Sequence, residues 1–263
     1  MKSQETVDND DAQVGRILSR REILALLGGS SVAFLAACAP VALASPSPTT
    51  AAQQTSAAAT TAAAAASAAT VLPSCVVRPA LTEGPYFVDE KLNRSDIRSD
   101  PTTGAVRPGA LMTLSFLVSR VSGSACNALS GAIIDVWHCD ALGVYSDVDS
   151  AVGQKFLRGY QTTDASGSAK FTTVYPGWYQ GRAVHIHFKI RPTSSSEFTS
   201  QLFFDDALST QVFAQTPYSQ KGTQGITRNS ADGIFQQSGG KLTLGVTKNG
   251  EAFAATFDIG LAG

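Results

Sequence analysis

Apolar and polar residues alternate one by one along much of the chain after residue 110. A repeat of two places successive side chains on opposite faces of a β-strand, so each such stretch predicts a strand with one buried face. The clearest same-face residues are Met112, Leu114, Phe116 and Val118 in one stretch and Phe253, Ala255, Phe257 and Ile259 in the last. The predicted strands begin at Leu111 and further cover 132–137, 169–174, 184–190, 241–246 and 252–259.

Turn-forming residues separate these stretches, for example at 164–167 and at Pro176 and Gly177. Many short strands with such turn signals predict an all-β fold, a single β-sandwich domain with short helical connections. One short helix is predicted over 207–214. The sequence contains neither a repeat of 20–50 residues nor a glycine-rich phosphate loop after a strand, which argues against a nucleotide cofactor.

The N-terminus has the features of an export signal. Residues 19–24 (SRREIL) resemble a twin-arginine signal, and the apolar run over 23–37 is too short to span a bilayer. The run ends in LAAC, which resembles a bacterial lipobox with Cys38 as the lipidated residue. We predict a signal peptide over 1–37 and an exported protein of the cell envelope or the extracellular space, attached to the membrane only through lipid. A plain secretory signal is the alternative.

Residues 38–72 are mostly Ala, Ser, Thr, Pro and Gln, with no charged or aromatic residue. Such a segment buries too little apolar surface to fold, so we predict a disordered tether, with an alanine-rich helix as the alternative. The folded domain is then 73–263, long enough for a substantial core. The net charge of −1 shows no basic excess, so we expect no nucleic-acid partner.

The four cysteines divide into three groups. Cys38 is assigned to the lipid anchor. In an oxidising compartment Cys75 and Cys126 could pair and join the N-terminal arm to the sandwich. Cys139 lies at the end of an apolar strand and is predicted to be a buried free thiol.

Two of the three histidines, His185 and His187, stand two residues apart in a predicted strand. In a strand this spacing sends both imidazoles to one face, and Val184, Ile186 and Phe188 to the other. The pair presents two nitrogen ligands side by side. Alone it is weak support for a metal site, because zinc, copper and iron sites and ordinary surfaces all contain it.

Tyrosines near the histidines in the sequence change the choice of metal. Tyr145 lies in GVYSD (143–147), and Tyr175 and Tyr179 lie in YPGWY (175–179). A phenol has a pKa near 10, so only a hard, highly charged ion such as Fe(III) displaces its proton readily. Two tyrosines and two histidines around Fe(III) would leave a net positive centre that attracts an anionic substrate.

With these motifs the chain resembles the intradiol ring-cleavage dioxygenases, in particular an exported branch related to protocatechuate 3,4-dioxygenase. The resemblance runs from Cys75 to the C-terminus, and the order GVYSD, PGWY, RAVHIH is highly specific. It rests on TEGPY (82–86), DVWHCDA (135–141), GVYSD (143–147), LRGYQTTD (157–164) and the stretch 175–188. The resemblance implies a β-sandwich that holds non-haem Fe(III).

The resemblance also implies roles for six residues. The expected metal ligands are Tyr145, Tyr179, His185 and His187. Tyr179 matches the ligand that an incoming catechol displaces and that accepts a substrate proton. Arg182 matches the arginine that stabilises negative charge on the substrate ring, and Gln201 falls where the family has a glutamine behind the ligands.

The implied activity is cleavage of a catechol-type ring by O2 between its two hydroxyl-bearing carbons, which gives a cis,cis-muconate-type product. The partners would be a small catechol and O2, and an oligomer is open. One alternative is an iron-free, envelope-tethered binding module for aromatic or glycan ligands. Another is a zinc or copper enzyme in which the tyrosines are incidental.

The chain departs from the family between Tyr179 and His185, where only five residues intervene. Several family members have a longer loop there, so we expect a more open cleft, and Tyr175 becomes a rival to Tyr179. His138 is expected to be held by hydrogen bonds rather than to bind metal. Tyr86 is expected to pack the N-terminal arm, with an approach to the cleft as the alternative.

Overall fold

The computed structural model describes residues 76–123, 125–193 and 195–262. The described strands are β1 (Leu111–Ser122), β2 (Ala125–Ala128), β3 (Ile133–Trp137), β4 (Arg158–Thr162), β5 (Ser168–Val174), β6 (His185–Arg191), β7 (Phe198–Phe203), β8 (Val246–Asn249) and β9 (Ala252–Ala262). The α-helices are α1 (Asp206–Phe213) and α2 (Gly233–Ser238), and 3-10 turns cover Asp149–Ala151, Tyr218–Lys221 and Asn229–Ala231.

The strands form two sheets. In the first, β1 pairs with β9 in parallel along one edge, and along the other edge it pairs with β5 and then β2. β8 completes this sheet beside β9. The second sheet has the order β4-β3-β6-β7, and all its neighbours are antiparallel. This arrangement confirms the predicted all-β sandwich.

An aromatic cluster joins the two sheets across the core. The ring of Phe188 on β6 lies 5.3 Å from that of Phe116 on β1 and 5.4 Å from that of Phe257 on β9, measured between centroids. All three side chains are buried. Aromatic residues carry large apolar surfaces, so this cluster supplies much of the contact that holds sheet against sheet.

β6 is buried on both faces. Ile186, Phe188 and Ile190 face the core, as the alternation predicted. The histidines and Lys189 face the other way, where the arm that precedes β1 covers them: Lys189 pairs with Glu83 and lies 4.0 Å above the Phe87 ring. The face that carries the histidines is therefore an interior surface beneath the arm.

The predicted strand over 241–246 is wrong. The strand begins at Val246, and upstream of it Thr243 makes only an isolated bridge to Phe203. Leu242 and Leu244 are both buried, so two leucines of an irregular connection pack into the core and imitate the period of a strand.

Besides β8, which shares only Val246 with the predicted stretch, four described strands and α-helices were not predicted: β2, β4, β7 and α2. β4 and β7 have polar sequences, RGYQT and FTSQLF. Their polar residues are used internally; the hydroxyl of Ser200, for example, donates to the Pro79 carbonyl at 2.9 Å. The predicted helix over 207–214 corresponds to α1.

The predicted signal peptide (1–37) and the whole predicted tether (38–72) lie outside the described residues, and so does Cys75. Cys126 is disulfide-bonded, and Cys139 is a buried free thiol as predicted. Within the ranges that the structure describes, no helix combines the length and the apolar character needed to cross a membrane.

Candidate metal centre

β6 places His185 and His187 with their Nε2 atoms 2.9 Å apart. His185 Nδ1 lies 2.6 Å from the Ala183 carbonyl, so Nδ1 carries the hydrogen and Nε2 presents its lone pair to the site. The His187 ring stacks on Trp137, with centroids 5.1 Å apart and planes at 10°. Gly84 also approaches this ring, where a Cβ would be 3.0 Å from His187 Cε1. Both imidazoles are thus fixed before any ligand binds.

Two tyrosine hydroxyls converge on the same point. Tyr179 Oη lies 3.1 Å from His185 Nε2, and Tyr145 Oη lies 3.5 Å from it. The structure therefore brings together all four residues that the sequence suggested as ligands. Within the described part of the chain no cluster of three or more His, Cys, Asp and Glu side chains is suited to a metal, so this centre depends on its phenols.

A tight turn presents Tyr145. The Asp140 carboxylate accepts hydrogen bonds from the backbone N–H groups of Leu142 (2.9 Å) and Val144 (3.0 Å). Gly143 at the centre has φ of +84°, a left-handed conformation that favours glycine. Tyr145 follows this turn directly and is buried.

The segment that carries Tyr179 packs against this turn. The N–H of Gly177 donates to the Asp140 carbonyl at 3.1 Å, and a Cβ on Gly177 would clash with the carbonyls of Asp140 and Ala141. The absence of a side chain lets the two backbones touch, which places Tyr179 beside Tyr145.

Burial keeps the donor groups neutral. It raises the pKa of Tyr145 well above that of a free phenol, and it raises the pKa of Tyr179 although the positive charge of Arg182 opposes this. Burial and Arg182 lower the pKa of His185 to about 3, and burial together with the neighbouring His185 lowers the pKa of His187 well below its ordinary value. A bound cation reverses the preference of the phenols, because it stabilises phenolate.

The donor set fits a hard trivalent cation. The single lone pair of His185 Nε2 is approached by two phenol oxygens and one imidazole nitrogen, more groups than it can accept hydrogen bonds from. Two oxygens and two nitrogens that converge in this way would be satisfied by an ion between them, and paired phenolates favour a hard ion such as Fe(III).

Arg182 and Gln201 lie beside the histidines as a linked pair. Arg182 Nη2 donates to Gln201 Oε1 at 2.6 Å, and Gln201 Nε2 donates to the Thr82 carbonyl at 3.0 Å. Gln201 also pairs with His187 across β6 and β7. The glutamine thus fixes the guanidinium, the arm and the histidine strand relative to one another.

Asp232 is a residue of this network that sequence reasoning missed. Its Oδ2 accepts from Arg182 Nε at 3.1 Å and from the Ala183 N–H at 2.7 Å, while its Oδ1 caps α2 by accepting from Ile234 and Phe235. An aspartate before a helix is a recognisable N-cap. However, α2 has only six residues, too few for a periodic pattern to reveal it.

A cleft opens above the tyrosines, with a volume of about 160 Å³. Tyr86 forms one wall: its ring stacks on Tyr145 with centroids 4.4 Å apart and meets the Tyr179 ring edge-on at 6.0 Å. The alternative weighed for Tyr86, an approach to the cleft, is therefore the arrangement found. Val148 and Asp149 also line the cleft, and Asp149 is exposed.

Two other candidate residues lie outside the centre. Tyr175 is buried, with its hydroxyl 2.8 Å from Ser209 Oγ, so it is not a rival to Tyr179. His138 is held by hydrogen bonds as expected, with Nδ1 2.8 Å from the Cys139 carbonyl and Nε2 2.7 Å from Thr173 Oγ1.

Comparison with known proteins adds a family. A family model described as "Dioxygenase" matches residues 82–263. The chain is 27% identical over 147 residues to a chlorocatechol 1,2-dioxygenase of Pseudomonas putida, covering 48% of this chain and 53% of the relative. It is 27% identical over 193 residues to a protocatechuate 3,4-dioxygenase beta chain of Burkholderia cepacia, covering 68% and 77%. The chain spans about half the length of the catechol and chlorocatechol relatives it matches.

Among solved structures, the chain resembles an intradiol ring-cleavage dioxygenase from Tetranychus urticae. The TM-score is 0.63 with 28% sequence identity, and the match covers 71% of this chain and 94% of the other.

Proposed function

We propose a function for this chain, which belongs to the intradiol ring-cleavage dioxygenase family. The protein holds non-haem Fe(III) through Tyr145, Tyr179, His185 and His187. With O2 it opens a catechol-type ring between the two hydroxyl-bearing carbons and releases a cis,cis-muconate-type product. The observation that carries the proposal is the convergence of two phenol oxygens and two imidazole nitrogens on one point.

The bound ion would draw electron density from the substrate and make its ring reactive towards O2. The residues around the ion would position the substrate, accept its proton and stabilise its negative charge. Relatives named catechol, chlorocatechol and protocatechuate dioxygenases support a substrate with adjacent hydroxyl groups.

Of the two tyrosines that would hold the ion, Tyr179 is the one whose place a substrate hydroxyl would take. Its side chain is half-buried at the cleft, whereas Tyr145 is only 6% exposed and is covered by the Tyr86 ring. Burial raises the pKa of Tyr179, so its phenolate would readily take up a proton. Tyr179 would therefore accept the proton of that substrate hydroxyl.

Arg182 stabilises negative charge that develops on the substrate. Its guanidinium is held by Asp232 on one side and Gln201 on the other, so it needs no rearrangement during the reaction. Preorganised groups of this kind typically contribute about 10²–10³ in rate.

The colour of the protein tests the proposal, because phenolate bound to Fe(III) absorbs visible light. We expect full-chain protein loaded with Fe(III) to be reddish and its absorption band to shift when catechol is added without oxygen. Tyr145→Phe should lose most of the bound iron or at least about 10²-fold in ring-cleavage rate, since an oxygen ligand is removed. Iron analysis, visible spectra and oxygen uptake measure these outcomes.

Tyr175→Phe is the matched control, because it removes a buried phenol that lies outside the centre. It should keep the colour and the turnover. Unchanged turnover in Tyr145→Phe would refute the ligand assignment. Colourless protein with stoichiometric zinc would refute the proposed activity, and colourless protein that binds aromatic or glycan ligands without metal would favour the binding-module alternative.

A further inference from the structure

Lys221 contacts both segments that carry the tyrosines. Its Nζ donates to the Leu142 carbonyl at 2.7 Å and to the Trp178 carbonyl at 2.7 Å. Leu142 belongs to the turn that presents Tyr145, and Trp178 immediately precedes Tyr179. One ammonium group therefore spans the gap between the two segments.

The residues around Lys221 accommodate its ammonium group between the two carbonyls. The ammonium also lies 4.5 Å from the Trp178 ring centroid, within the range of a cation–π interaction. A Cβ on Gly143 would clash with Lys221 Nζ and with the Trp178 carbonyl. The glycine thus leaves room for the lysine to reach both carbonyls.

The 3-10 turn that presents Lys221 is itself anchored in the core. It begins at Tyr218, which is buried and donates its hydroxyl hydrogen to the Tyr175 carbonyl at 2.7 Å. The same hydroxyl accepts from the Ala110 N–H at 3.0 Å. The lysine therefore extends from a fixed base.

We propose that Lys221 is a positioning residue that holds the Tyr145 and Tyr179 segments at the separation at which both phenol oxygens reach one ion. Lys221 itself does not touch the substrate. Hydrogen bonds from a charged donor are about twice as strong as neutral ones, and here a single group supplies two. The part of this inference that concerns iron rests on the proposed function, whereas the part that concerns the two segments does not.

Amide hydrogen exchange on the full-chain protein tests the inference, both as purified and after chelation of its metal. We expect Lys221→Met to increase exchange roughly tenfold or more in two peptides, one covering 140–145 and one covering 176–180, since a charge-assisted contact to each is lost. Lys221→Arg should restore most of the protection. Lys170→Met, at an exposed position on β5 of the other sheet, is the matched control and should change neither peptide.

In the Fe(III)-loaded protein, Lys221→Met should also release iron to a chelator about tenfold faster, with a weakened visible band. Unchanged exchange in both peptides, or a rise spread evenly over β1 and β9 as well, would overturn the inference. If the methionine variant does not fold, Lys221→Gln decides the same comparison. Wild-type protein that develops no colour with Fe(III) would refute the proposed function, while the exchange comparison would still decide the role of Lys221.

Discussion

Individual polar side chains in this protein connect segments that are distant in sequence. Arg158 is 3% exposed, and its Nε donates to Ser146 Oγ at 2.8 Å. The same guanidinium donates to the carbonyls of Ser146 and Tyr86. It thereby ties the arm to the loop that follows Tyr145 and keeps the Tyr86 ring over the cleft. Burying a charged group is favourable only when all of its hydrogen-bonding and charged partners are present. Residues such as Arg158 therefore fix the relative positions of the segments that they join, rather than merely add stability.

Asp100 also joins distant segments through hydrogen bonds, but away from the candidate centre. Its contribution to the stability of the fold should depend on pH. Its carboxylate accepts hydrogen bonds from the N–H groups of Thr102 and Thr103 (2.9 Å each) and of Lys155 (2.6 Å). Burial alone would raise the pKa of Asp100, but these three donors outweigh burial and lower it. Since the folded pKa lies below the unfolded one, the carboxylate stabilises the fold above about pH 4, and this is lost as the pH falls through the folded pKa.

We therefore expect Asp100→Asn to reduce the free energy of unfolding by about 1–3 kcal/mol at pH 7. The difference from wild type should narrow at pH 3, because the carboxyl of the unfolded chain, which has the higher pKa, is by then mostly protonated and this stabilises the unfolded state. Urea unfolding at pH 7, 5 and 3 measures it, with Glu251→Gln in an exposed turn as the control. A difference that stays constant across this range would show that the ionised form is not what matters.

At this scale the sequence indicated the four residues that converge at the candidate centre, but not the residues that support them. Tyr145, Tyr179, His185 and His187 stand in compact motifs, and the resemblance of these motifs to the intradiol family implied their roles. Lys221 and Asp232 act through contacts with residues more than 40 positions away. No local pattern encodes such contacts, and only the folded chain reveals them.

Among the elements, β6 carries both core residues and candidate ligands. Its even-numbered residues enter the core and its odd-numbered residues face the metal centre and the arm. A one-residue shift in register would exchange the two sets. Pairing with both neighbouring strands fixes the register. β3 pairs along one side, with Ile133 opposite Arg191, and β7 pairs along the other, with His185 opposite Phe203.

The two faces of β6 should respond differently to mutation. Phe188→Ala removes a fully buried ring that touches both sheets, and we expect it to lower the free energy of unfolding by about 3–5 kcal/mol. Under conditions where the variant is folded, its Fe(III) colour should persist, because the histidines keep their places. Denaturant unfolding and visible spectra measure the two effects. Loss of colour in folded Phe188→Ala, with stability unchanged, would contradict this division.

Alternation predicted those strands whose two faces differ in polarity, namely β1, β3, β5, β6 and β9. It failed for β4 and β7, since their polar residues are covered by the arm or bonded within the protein. It also failed for 241–246, where two buried leucines belong to a connection. The spacing of apolar residues reports only which side chains are buried. A buried stretch is a strand only where its backbone is also hydrogen-bonded to a neighbouring strand.

At the scale of the whole molecule, the sandwich (described from residue 76) is preceded by a long segment outside the described residues. We propose that this segment directs export and that Cys38 carries the lipid that attaches the protein to a membrane. The SRREIL motif, the short apolar run and LAAC, in this order, support the proposal.

We expect Cys38→Ala to move the protein from the membrane fraction to the soluble fraction, while its Fe(III) colour is unchanged. Fractionation followed by immunodetection measures this. Cys139→Ala is the control for the fractionation, because that thiol is buried beside Trp137 and Tyr145. Continued membrane attachment of Cys38→Ala would refute the lipid assignment.

The histidines lie on the face of β6 that points away from the core and is covered by the arm. This placement has a consequence for how the protein can change over generations. Variation in the arm and in the two tyrosine segments alters the cleft without touching the rings that join the sheets. The shape of the cleft can then diverge among related proteins while the contacts between the sheets stay constant. A laboratory library confined to Val148 and Ser150, which line the cleft and are not buried, should accordingly yield mostly folded variants.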